Sequence, residues 1–132
     1  MFAEETEALA AELGLDVAFP PAALRHRLDS KIETNRLANE AGVPSVPNVM
    51  GRASSYREVL DLATAAGLGS DLVIQTPYGD SGQTTFFVAS ESDWKADERE
   101  IVGEELKVMR RIDPRETAIE GVITRHGTLV GR

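Results

Sequence analysis

Along the 132-residue chain the spacing of apolar positions changes near Gly69, from a helical period to strand-like alternation. Residues 4 to 13 (EETEALAAEL) are strong helix formers that stop at Gly14, a natural C-terminal cap. Phe19-Pro20-Pro21 breaks this segment, and Ala22 to Arg27 is predicted as a second short helix. Ser30 followed by Glu33 forms a capping box, and the pattern closes on Gly42-Val43-Pro44, so residues 30 to 41 are predicted as a helix. Two prolines restrict Val43 to Val49 to an edge strand or an extended connection. Ser55 with Glu58 repeats the capping box, and Val59, Leu62, Ala63 and Ala66 share one face of a helix from about 55 to 66, which ends at Gly67.

Beyond Gly69 the residues become β-branched and aromatic. Asp71 to Thr76 (DLVIQT) and Thr84 to Ala89 (TTFFVA) read as strands joined by Pro77 to Gln83. Ser92 to Val102 is predicted as a short helix anchored by Trp94 and Ile101. Leu106 to Met109 and Thr117 to Thr124 read as strands divided by a turn at Asp113-Pro114, and His126-Gly127 turns the chain into Thr128 to Val130. The class is α+β, with no repeat and no low-complexity segment. Arg132 follows two residues after a hydrophobic strand without a terminating signal, which is expected of a piece of a longer protein.

Charge narrows the functional classes. Fourteen lysines and arginines against 22 acidic residues leave a net charge of −8, which disfavours a general nucleic-acid or membrane-surface binder. With no cysteine there is no disulfide framework, thiolate zinc site or thiol nucleophile. No apolar run approaches the length of a membrane span, and Met1 to Asp16 is acidic where a signal peptide would be basic, so a cytoplasmic protein is expected.

Candidate chemistry gathers in Gly79-Asp80-Ser81-Gly82-Gln83-Thr84-Thr85. Two glycines three apart let successive N–H groups converge on an anion, and Ser81, Thr84 and Thr85 add hydroxyl donors. The phosphate loop of other nucleotide-binding proteins requires a Lys after its last Gly and then a helix; here Gln83 takes that place and a strand follows. A polar hairpin tip would use the same glycines. Lys31 lies in the first turn of its predicted helix, where the helix dipole disfavours a cation, so it is either solvated or set to meet an anion. Asp29 reads as a capping or supporting group. His26 and His126 lie far apart, with nothing to suggest a metal site or a Ser-His-Asp triad. Arg110, Arg111 and Arg115 are expected to be solvated charge, and Trp94, Phe86 and Phe87 to be core.

The order of these pieces resembles the ATP-grasp superfamily. Leu28-Asp29-Ser30-Lys31, a helix to Ala41-Gly42-Val43-Pro44-Ser45-Val46-Pro47, a strand, a glycine flap, a strand, a short helix and a strand ending in Lys107-Val108-Met109 follow one another as in that family. The phrases D-S-K and A-G-V-P-x-V-P most resemble biotin carboxylase-like and carboxylate-amine ligase members, over about residues 24 to 132. The resemblance implies an N-terminal part of an ATP-grasp domain. Residues 1–67 would be a helical lead-in, 68–112 a small antiparallel-sheet lid lobe carrying the flap, and 113–132 the start of a second lobe.

Position by position, Lys31 resembles the family's first phosphate-binding lysine, and Gly79, Asp80, Ser81, Gly82, Gln83 and Thr84 resemble the flap over the ATP phosphates. Lys107, Val108, Met109 and Arg110, continuing through Arg111 and Ile112, resemble the hinge whose backbone recognises adenine. Glu116 resembles an acidic residue near ribose or phosphate. Gln75 stands where the family usually carries a second phosphate-contacting lysine, and an amide cannot neutralise charge. The later acidic strand with its magnesium-binding pair has no counterpart here. The implied partners are ATP and Mg2+ in the full-length enzyme and a small carboxylate or bicarbonate that becomes an acyl-phosphate for an amine or other nucleophile. From the charge balance no nucleic acid and no membrane partner is expected, and a homodimer is one assembly open to the full-length protein. The competing reading is a non-catalytic acidic α+β interaction or nucleotide-binding module.

Overall fold

The computed structural model describes residues 3–79, 82–113 and 120–131. Three helices lead the chain: α1 (Glu4–Glu12), α2 (Ala22–Asp29) and α3 (Lys31–Glu40). They are tied by side chains reaching backbone groups that helix ends leave free. The Ala22 N–H at the start of α2 donates to Glu7 Oε1 of α1 at 2.6 Å. Ser30, buried and extended, forms the one-residue joint between α2 and α3, and its Oγ accepts from the Glu33 N–H at 3.3 Å.

The next elements are β1 (Asn48–Gly51), α4 (Tyr56–Ala65), β2 (Leu72–Gln75), β3 (Thr85–Val88), α5 (Glu91–Ile101) and β4 (Leu106–Arg110). The four strands form one antiparallel sheet in the order β1-β4-β2-β3. β1 is an edge strand, as two upstream prolines require, but it begins only after Pro47 because a proline has no N–H to place in a ladder. The sheet therefore takes in a strand from before residue 68. A separate two-stranded sheet pairs β5 (Gly121–Thr124) with β6 (Gly127–Val130). The expected strand from Thr117 to Thr124 is seen from Gly121 onward; 117–119 lie outside the described residues.

Strand alternation gives the four-stranded sheet two different faces. Leu72, Ile74, Phe86, Val88, Leu106 and Val108 point to one side and are buried with Val59 and Ala63 of α4 and Trp94 and Ile101 of α5. α4 ends in a hydrogen-bonded reversal in which Gly67 N–H donates to Thr64 O and Leu68 N–H to Ala63 O, which seats Leu68 in this core. α5 starts at Glu91, a residue earlier than its predicted start at Ser92, because Ser90 and Asp93 form a reciprocal capping box. The opposite face carries no helix from α4 or α5. No helix among the described residues is long and apolar enough to cross a membrane.

Candidate functional site

The open face of the sheet is laid out in rows that register fixes across three strands. Lys107 of β4 lies opposite Gln75 of β2, which lies opposite Thr85 of β3. One step along, Met109, Val73 and Phe87 are opposed in the same way. A polar row thus borders an apolar one. Above the apolar row is a depression of about 750 Å³ lined by Val46, Val73, Phe87, Met109 and Ile112, together with Asp71 and the two arginines after Met109. Phe87 is 56% exposed, and the Arg111 guanidinium lies 5.0 Å from its ring centroid. The polar row borders a second cleft of about 390 Å³, whose other wall is the first turns of α3. Lys31, Thr34, Asn35, Gln75 and Lys107 line it with Asp29.

Lys31 brings helix and flap together. Its backbone N–H donates to Pro77 O at 2.8 Å, and its ammonium donates to Gly79 O at 2.6 Å and Thr84 Oγ1 at 3.2 Å. A cation at a helix N-terminus, unfavourable against the dipole, is here offset by a carbonyl and a hydroxyl from the flap. An ammonium has three N–H groups, so one remains for a further acceptor. The flap closes at its base through Thr76 N–H to Thr84 O at 3.3 Å and Thr85 N–H to Gly82 O at 3.0 Å. Gly79 has φ +145°, and a Cβ there would run into the Thr84 side chain. Tyr78 stacks on His26 of α2 with centroids 4.7 Å apart and planes 13° from parallel.

Of the residues singled out in the sequence, Lys31, Gly79 and Thr84 are in direct contact, and Gln75 and Lys107 share the cleft with Lys31. Gln75 Nε2 donates to Thr85 Oγ1 at 3.1 Å. Gly82 and Gln83 are exposed in the flap, whereas Asp80, Ser81 and Glu116 lie outside the described residues. Val108 turns its side chain into the core, and its backbone is paired with β1 and β2 on both sides. Met109 presents its side chain to the apolar depression. Arg110 instead ties the end of β4 to the loop after α4, donating to Gly67 O at 2.7 Å and Leu68 O at 3.2 Å. The Arg111 N–H is taken by Asp71 O at 2.9 Å. Ile112 is the first residue past β4 whose backbone N–H has no partner among the described residues.

Two contacts had no forewarning in the sequence, the Tyr78–His26 stack and the Asn35 amide held by Asn48 Oδ1 at 3.1 Å, and Lys107, expected among the hinge residues, instead lines the cleft beside Lys31. Only the last had a local signal, a lysine between the buried apolar positions 106 and 108 of a strand. Among the described residues no group of three or more His, Asp or Glu side chains is placed to hold a metal ion.

The four-stranded sheet with its flap and preceding helices has the fold of a fragment of ATP-grasp proteins. Similar solved structures include the N5-carboxyaminoimidazole synthase of Aspergillus clavatus, crystallised with ADP and 5-aminoimidazole ribonucleotide, at 13% identity and a TM-score of 0.63. That similarity covers 96% of this chain and 32% of the synthase. A RimK-domain ATP-grasp protein of Sphaerobacter thermophilus has 18% identity and a TM-score of 0.57, over 86% of this chain and 44% of its own. The chain thus spans less than half the length of either protein. No protein-family model and no curated protein matches the sequence.

Proposed function

We propose that this chain is the ATP-binding N-terminal portion of an ATP-grasp ligase. The observation that carries the reading is the Lys31 ammonium seated against Gly79 O and Thr84 Oγ1, so that a first-turn lysine and a glycine flap border one open cleft. The apolar row of Met109, Val73 and Phe87 offers a surface for a base, and the adjacent cleft offers cations for phosphates. The ADP bound by the Aspergillus synthase supports the nucleotide part of this reading.

In the longer protein, a carboxylate or bicarbonate oxygen attacks the γ-phosphorus, the bond to the bridging oxygen breaks, and ADP leaves. The resulting acyl-phosphate is attacked at carbon by an amine, inorganic phosphate departs with the bridging oxygen and its electron pair, and the amine proton passes to a base. Because phosphoryl transfer depends on positioning and charge, this chain's share is to orient the triphosphate through Lys31 and the flap and to exclude water above it. Magnesium would arrive with the phosphates and neutralise charge on them, since these residues offer no metal cage of their own.

Thermal unfolding with and without Mg-ATP tests the binding step, because a ligand of the native state raises stability by about 2.7 kcal/mol at a hundred times its Kd. A saturable rise with ATP and none with adenosine supports the reading; no rise at millimolar ATP refutes it. For the longer protein, carboxylate-dependent ADP release together with trapping of an acyl-phosphate by hydroxylamine tests the ligase chemistry.

A further inference from the structure

The sequence contains three lysines: Lys31, Lys95 and Lys107. Lys95 forms an exposed i,i+4 ion pair with Glu91 of α5 at 3.0 Å, an ordinary helix-surface contact. The other two line one cleft. Lys31 is engaged by the flap, but Lys107 is half-buried and its ammonium has no hydrogen bond or ion pair among the described residues. Burial alone acts on it, lowering its pKa from the ordinary lysine value, and no neighbouring carboxylate opposes that shift. Glu105, two residues earlier, is bound to Arg36, and Asp29, the acidic residue of the cleft lining, does not offset the burial. A partly desolvated cation without a counter-ion costs stability, and a chain with 22 acidic residues has no shortage of carboxylates to supply one. Its natural complement is an anion that comes from outside the chain.

The register says where that anion would lie. Lys107 is directly opposite Gln75, so their Cβ atoms are about 5 Å apart on the same face, within reach of a lysine's four-carbon stem. Gln75 is neutral and already donates to Thr85, which leaves the polar row with one positive group. We propose that Lys107, reaching from β4, is a phosphate-contacting residue of the cleft, and that it supplies the charge expected at position 75 from the neighbouring strand. This rests on the nucleotide reading above and deepens it: the ligand is a nucleoside di- or triphosphate, held by one lysine from α3 and one from β4, with its base on the adjoining apolar row.

The test is nucleotide titration of the chain and its variants at fixed ionic strength. Because it removes a charge-assisted hydrogen bond, Lys107→Gln should weaken ATP and ADP binding about tenfold or more, while Lys95→Gln changes neither. The exchanged variant Gln75→Lys/Lys107→Gln should recover most of the lost affinity. In a second readout that needs no substitution, reductive 13C-methylation gives each lysine its own NMR signal, and ATP should move the signals of Lys31 and Lys107 but not that of Lys95. If ATP binds and moves the Lys31 signal alone, or if Lys107→Gln binds as tightly as the unaltered chain, the role of Lys107 is overturned and the nucleotide site stands. An exchanged variant as weak as Lys107→Gln overturns the equivalence of the two positions. If the unaltered chain binds no nucleotide, both readings fall together.

Discussion

Replacing Gly79 by alanine strikes the flap at the point where it meets Lys31. The residue has φ +145°, a backbone conformation that side-chain-bearing residues occupy at a cost of about 1–3 kcal/mol. A Cβ would also overlap Thr84 Cγ2 and Oγ1 and stand 2.9 Å from Thr84 Cβ, so Thr84 must move. Overpacking of this kind costs about 1–3 kcal/mol, and displacing Thr84 also removes its hydrogen bond to the Lys31 ammonium, worth about 1 kcal/mol. Because an exposed flap can relax locally, the expected loss is about 2–4 kcal/mol. Gly82 is the internal control: it too has positive φ, at +79°, but nothing lies within 4 Å of its added Cβ, so Gly82→Ala should cost only about 1–2 kcal/mol. Denaturant unfolding of Gly79→Ala, Thr84→Ala and the double variant forms a cycle in which Thr84→Ala relieves part of the clash, giving a favourable coupling of about 1 kcal/mol. Amide exchange should report the same displacement as faster exchange at Thr76 and Thr85, whose N–H groups close the flap. A Gly79→Ala variant no less stable than Gly82→Ala, with additive energies in the cycle, would refute the argument that Gly79 is required for the approach of Thr84 to Lys31.

Three further outcomes follow from the core and the titrating groups. Trp94, 1% exposed between α5 and the sheet, should cost about 3–5 kcal/mol on truncation to alanine, measured by denaturant midpoint. The Ser90 hydroxyl, followed by the Ala89 N–H, holds the Asp93 carboxyl below its ordinary pKa; its contribution is present above the unfolded value and lost as pH falls through the folded one. Asp93→Asn should therefore lower the thermal midpoint at pH 7 and make no difference near pH 2. For Lys107 the slope has the same sign, but it is the charged form that burial disfavours: the folded pKa is lowered, so just below the ordinary lysine value of about 10.4 the unfolded chain holds a proton that the folded chain has shed, and stability rises with pH. Lys107→Met should raise the thermal midpoint at neutral pH and abolish that alkaline rise, while weakening ATP binding.

Local signals made much of the helical frame legible. Ser30 and Ser55 announced helix starts because a cap is chemistry within one turn, and both hydroxyls accept from the N–H three residues on. Two serines compete at the start of α5, and only the reciprocal bonds of Asp93 select Ser90 over Ser92. Pairing was less legible. Nothing near Asn48 announces that it will oppose Met109, because that register depends on a core shared by elements 60 residues apart in the chain. The same distance hid the site's arrangement: Lys31 was conspicuous for its unfavourable place on the dipole, but its partners lie 48 and 53 positions away. The order of elements places Lys107 in the hinge, but its opposition to Gln75, which sets its side chain on the open face, is a matter of register between strands distant in sequence.

How an acidic chain could attract the polyphosphate proposed for it depends on where its charges sit. Glu91, Asp93, Glu98 and Glu100 belong to α5, which packs on the covered face through Trp94 and Ile101, so the sheet stands between them and the cleft. Glu4, Glu5 and Glu7 occupy the first turn of α1, where the helix dipole favours them. Glu33 and Glu105 are balanced by Arg27 and Arg36, with Arg36 paired to both carboxylates and Arg27 to Glu33. At physiological ionic strength fields fade over about 8 Å, comparable to the thickness of a sheet layer, so an incoming anion responds to the near charges and little to the total. The near charges are Lys31 and Lys107 against Asp29, a local excess of one cation within a protein of net charge −8. On the proposed role of Lys107 that excess rests on position 107: without its charge Lys31 and Asp29 would cancel and leave an anion little to meet in this cleft.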